Sequence, residues 1–82
     1  MPYVSKEIRE ILRPKSETIP GTPGGLNFQI TELCLEYLHS NGLAYHTIND
    51  ILGALEGAKL EFYRRVAVPY EDQKIKENGD VY

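Results

Sequence analysis

Apolar residues recur at helical spacing through most of the chain, and the longest such run has two greasy sides. At ~100° per residue, Ile48, Ile51, Leu55, Ala58, Phe62 and Val66 fall on one side of the helix that contains ILGALEGAKLEFYRR, residues 51–65. Gly53, Gly57, Leu60 and Ala67 fall on a second side, with Arg64 among them. An earlier segment repeats the property. Leu26, Ile30, Leu33, Cys34, Tyr37 and Leu38 share a broad face, while Phe28 and Leu35 lie opposite. A helix with two faces to bury needs two sets of neighbours, and 82 residues cannot supply both. The pattern therefore predicts a homo-oligomer, most simply a two-fold dimer, with Phe28, Leu35, Gly53, Gly57 and Leu60 at the contact.

Turn and cap residues divide the chain. Residues 1–13 hold a short helix with Ser5 as N-cap, a strip of Ile8, Ile11 and Leu12, and Pro14 as its stop. So short a helix is not stable alone in water, so its strip must dock on something. Residues 14–25, PKSETIPGTPGG, form a loop long enough to let that helix swing freely or reach a neighbouring subunit. Thr22 followed by Pro23 reads as N-cap and first helical residue, although the two glycines after them allow a start nearer Leu26. Asn41-Gly42 ends this second helix. Thr47 is expected to cap the third, with Asp50 completing a capping box. That helix runs to about Val68, where Pro69 kinks or ends it, and a last short helix runs from Pro69 to Glu77 before Asn78-Gly79. No segment reads as a strand. The expected fold is all-α: one domain, residues 1–82, built on an antiparallel helical hairpin of 22–40 against 47–68, with short flanking helices at both ends.

Composition narrows the function classes. A net charge of −3, with both signs interspersed, argues against nucleic-acid binding, which needs a clustered basic surface. Cys34 is alone, which excludes an intrachain disulfide and fits a reducing compartment. No apolar run reaches the ~20 residues of a membrane span, nor is there a signal-peptide core, so the expected location is cytoplasmic.

Candidate chemistry is sparse. Each glycine inside a helix costs about 0.5–1 kcal/mol relative to alanine, so Gly53 and Gly57 imply that a neighbouring helix or a ligand comes close to their face. Lys59, Tyr63, Arg64 and Arg65 are the candidate contacts for a small anionic ligand, since guanidinium donors match phosphate geometry. Glu61, three and four residues before the arginines, offers them a salt-bridged alternative. Tyr45, Tyr63 and Tyr70 flank the connection and the Pro69 bend, where they can pack or line a pocket. Glu32 and Glu36 share a face and, with Glu56, invite comparison with all-helical metal-dependent nucleotide hydrolases. The partner helix, the third, supplies no matching pair, however, since Glu56 and Glu61 are five apart. Cys34, His39 and His46 do not converge as zinc ligands must. No catalytic residue, metal ligand or cofactor is assigned. The chain reads as a non-enzymatic interaction or binding protein whose partners are copies of itself and a small anionic ligand or a host protein. A hydrolase and a purely structural adaptor are the alternatives.

The segments LNFQIT at 26–31, ALEGAKLEFYRR at 54–65 and PYEDQKIKENGDVY at 69–82, with the opening MPYV, resemble a family of short uncharacterised helical proteins of bacteria and their phages. Two departures stand out: Gly57 replaces a commoner cysteine, and the Pro/Gly loop replaces a longer acidic helix. The resemblance implies a helical fold and no activity; phage occurrence suggests roles in infection or counter-defence.

Overall fold

The computed structural model describes residues 3–82; Met1 and Pro2, which begin the MPYV opening and the expected first segment, lie outside the described residues. Every regular element among the described residues is a helix or a helical turn. Helix α1, Lys6–Leu12, is capped by Ser5, whose Oγ accepts from the Ile8 amide at 3.3 Å. It stops at Arg13, which is extended at ψ 132° because the ring of Pro14 disfavours a helical conformation before it. The following loop is not featureless. A 3-10 turn at Ser16–Thr18 is tied to the next helix by Gln29 Nε2, which donates to the Thr18 carbonyl at 2.7 Å.

Helix α2 spans Pro23–Asn41, so the earlier of the two expected starts holds. Thr22 Oγ1 accepts from the Gly25 amide at 3.0 Å, and proline occupies the first turn, where its missing N–H costs nothing. Gly25 is required by a close approach: a Cβ there would sit 3.0 Å from Pro20 Cβ and 3.2 Å from Thr22 Oγ1. Gly42, at φ 90°, ends the helix, and its amide returns to the Leu38 carbonyl at 2.7 Å.

Helix α3, Tyr45–Phe62, starts earlier than expected, after only residues 42–44. Its N-cap is Ala44, which offers no side-chain bond, so Thr47 is not the cap and Asp50 closes no capping box. Once the helix begins at Tyr45, Thr47 becomes its third residue and loses the extended conformation a cap needs.

Pro69 neither ends nor separates the last helix. A π-helical turn at Tyr63–Ala67 leads directly into α4, Val68–Asn78, and the flanking residues Phe62, Tyr63, Ala67 and Val68 are all right-handed helical. The Val68 amide donates to the Tyr63 carbonyl, an i to i−5 bond. This wider turn accommodates the proline ring, which would otherwise meet the carbonyl four residues back. The 34 residues from 45 to 78 are thus one helical rod. At 1.5 Å per residue it measures about 51 Å, which matches the molecule's longest dimension of 50 Å.

The other helices do little to cover this rod. α2 lies beside α3 near their connection, while α1 comes within 8 Å (Cα–Cα) of none of the other helices. Among the described residues no hydrophobic side chain is buried, and the one fully buried residue is Thr47.

Candidate functional site

The contact between α2 and α3 is the one place where side chains from distant parts of the chain come together among the described residues. Cys34, Leu35 and Leu38, with the methyl of Thr31, face it from α2. Ile48, Ile51 and Leu52 face it from α3. Between them runs an open, wholly apolar groove of about 230 Å³. The Thr31 hydroxyl is turned out of it, donating to the Asn27 carbonyl at 2.9 Å. This corrects one expected face: Leu35 stands on the side of α2 that meets α3, not opposite it. Leu33, expected toward α3, is exposed at 73%. At the same contact the Tyr37 hydroxyl reaches across to Asp50, donating to Oδ2 at 3.0 Å. That bond and the adjacent carboxylate charge hold the Tyr37 phenol above its ordinary pKa.

Sequence reasoning misses this pairing, because spacing alone assigns Asp50 to a cap. It misses Thr47 as well, whose Oγ1 is buried without a hydrogen-bond partner among the described residues. No spacing signals the Tyr37–Asp50 pairing, which depends on how the two helices cross.

Of the expected interface residues, Phe28, Gly53 and Leu60 are open in the single chain. Phe28 is 63% and Leu60 55% exposed, and a Cβ added at Gly53 would meet nothing within 4 Å. Gly57 is half-buried. Nothing among the described residues therefore explains the glycine at 53.

The expected anion contacts lie at the π turn. Arg64 Nη2 and Arg65 Nε both donate to Glu61 Oε2, at 3.1 and 2.7 Å. The two guanidinium bonds, Arg65 first, pull the Glu61 carboxyl below its ordinary pKa. Lys59 pairs with Glu56 at 3.4 Å, and Tyr63 is exposed. Tyr70 lies further along the rod, with Lys74 Nζ 5.5 Å from its ring centre, a cation–π distance. No group of three or more histidine, cysteine or acidic side chains converges as a metal site among the described residues, so Glu32, Glu36 and Glu56 are not gathered into one. No helix among them is long and apolar enough to cross a membrane.

Fold and surface together define a small all-helical protein that turns its apolar side chains outward. The chain belongs to the family described as Domain of unknown function (DUF6899), whose model matches residues 1–81. No curated protein and no solved structure matches it.

Proposed function

We propose that this chain is a non-enzymatic interaction protein that works as a homo-oligomer. The observation that carries the reading is surface area. A compact 9.3 kDa monomer exposes about 5000 Å² on the usual scaling with mass, whereas this chain exposes 7570 Å². The excess is more than the ~1000 Å² per chain that an obligate dimer at the lower end of its size range removes. With no buried hydrophobic residue among those described, a lone chain lacks the core that marginal stability requires. Association supplies it. In the assembled form α2 and α3 pair as an antiparallel hairpin, 22–40 against 47–68; the three-residue connection and the Tyr37–Asp50 bond support this. Phe28, Leu35, Gly53, Gly57 and Leu60 meet the second copy.

The test is mass in solution. Light scattering at micromolar concentration should give at least twice the chain mass, and Leu60→Glu should lower both mass and melting temperature. A wild-type monomer that unfolds cooperatively would overturn the reading.

One observation favours a second role within that assembly. Arg64 and Arg65 share a single carboxylate, so the cluster keeps a net positive charge and spare guanidinium donors. This supports capture of a small anionic, nucleotide-like ligand by Lys59, Tyr63, Arg64 and Arg65 at a subunit junction, in a cytoplasmic phage or bacterial setting. Thermal stabilisation by nucleotides without divalent metal, lost in Arg65→Ala, tests it; stabilisation by divalent metal instead, abolished by Glu32→Ala, would favour the hydrolase.

A further inference from the structure

We propose that α1 is an exchanged arm, and that its Ile8/Ile11/Leu12 strip docks in the α2/α3 groove of a second copy of this chain; the inference rests on the homo-oligomer reading above. α1 cannot account for its own order. Seven residues are too few for an isolated helix in water, and it touches no other helix of its own chain. Its strip is largely uncovered at Ile11 and Leu12, 74% and 68% exposed, and about half covered at Ile8. The groove is the matching vacancy. Its lining is wholly apolar, and its roughly 230 Å³ exceeds the ~150 Å³ cavity that holds a benzene ring, so it has room for branched aliphatic side chains.

Charge follows the same division. Residues 5–15 carry Lys6, Arg9, Arg13 and Lys15 against Glu7 and Glu10, a net of +2. From residue 16 to residue 58 there is no lysine or arginine at all, while Glu32, Glu36, Asp50 and Glu56 lie on α2 and α3. α1 itself is neutral; Arg13 and Lys15 just beyond it supply the excess, Arg13 also pairing with Glu10 at 3.5 Å. This basic root and the acidic helices α2 and α3 are opposite in sign, which favours the docking.

The backbone decides between the chain's own groove and another's. The root of the arm is tied down at Thr18 by Gln29, close to the groove. Arg13 (φ −62°, ψ 132°) and Lys15 (φ −93°, ψ 143°) are extended about Pro14, whose φ is fixed. With these residues extended, α1 stands beyond 8 Å (Cα–Cα) of both helices that line its own groove.

The native cysteine reports on the docking, because Cys34 lines the groove. Chains carrying Ile11→Cys with Cys34→Ser are mixed with wild-type chains of different tag mass and oxidised with glutathione disulfide. Peptide mapping then measures the disulfide between the thiol introduced at position 11 and Cys34 of the wild-type chain, a bond that in this mixture forms only between copies. Docking raises the effective concentration, so its yield should exceed that of an Asp80→Cys/Cys34→Ser control by about tenfold or more. Ile8→Cys repeats the test at a second position, and circular dichroism checks that each variant folds. An Ile11→Cys chain retaining Cys34 that closes on itself would show docking in its own groove and overturn the exchange. A yield no greater than the control in a protein that light scattering shows to be oligomeric would overturn the arm and leave the oligomer standing. A monomeric wild type would overturn both.

Discussion

Replacing Gly53 with alanine separates a free helix surface from a covered one by the sign of its effect. In the single chain a Cβ at this position meets no atom within 4 Å. On a free surface the substitution therefore gains only helix propensity, about 0.5–1 kcal/mol. For a domain of this size 1 kcal/mol corresponds to about 4–8 °C in melting temperature, so a monomer should become measurably more stable. If a second copy packs on the Gly53/Gly57/Leu60 stripe, the added methyl overpacks that contact at a cost of about 1–3 kcal/mol per chain. A net loss of about 1 kcal/mol per chain, or 2 per two-fold pair, weakens association about thirtyfold. Sedimentation velocity over a dilution series gives the dissociation constant, and urea melts at low and high protein concentration give the stability. A variant that is more stable at every concentration and associates as tightly as wild type would refute a contact at this stripe.

The other expectations concern groups the structure places beside one another. The folded state holds the Tyr37 proton more tightly than the unfolded state, through its bond to Asp50, so that contribution is complete below about pH 10 and lost as pH rises further. Urea melts from pH 9 to 11 should show the decline in wild type and not in Tyr37→Phe; equal slopes would refute the contact. Glu61 has the opposite sign. Its depressed pKa contributes stability above about pH 4.5 that disappears as pH falls below it, and Glu61→Gln should flatten the acid limb of the stability profile. Thr47→Val removes a buried hydroxyl without a partner while keeping the side chain's shape. It should be neutral or stabilising by about 1 kcal/mol in thermal melts; a loss of that size would mean that the hydroxyl is bonded.

Most of the helices were legible because their signals are local. Ser5 and Thr22 cap where a hydroxyl can reach an amide three residues on, and Gly42 and Gly79 stop helices at positive φ. The errors fall where a residue had two uses. Thr47 and Asp50 fit a capping box by spacing, but the helix began early enough to make both interior, and Tyr37 took the carboxylate. Pro69 is expected to kink or end the helix; it does not end it, and the chain widens one turn ahead of it. Of the candidate site, the sequence placed Glu61 within reach of either arginine; that one oxygen serves both depends on the side-chain geometry at the π turn.

Periodicity, caps and proline positions determined on their own that this chain is helical, where most helices stop, and that both long helices carry apolar residues on more than one side. Those properties depend on neighbours within four residues. Only the tertiary structure decided that Leu35 turns toward α3, that Thr47 is enclosed, and that α1 stands away from its own groove. Each of these depends on how one helix is rotated and placed against another, a choice made by contacts between residues far apart in the chain.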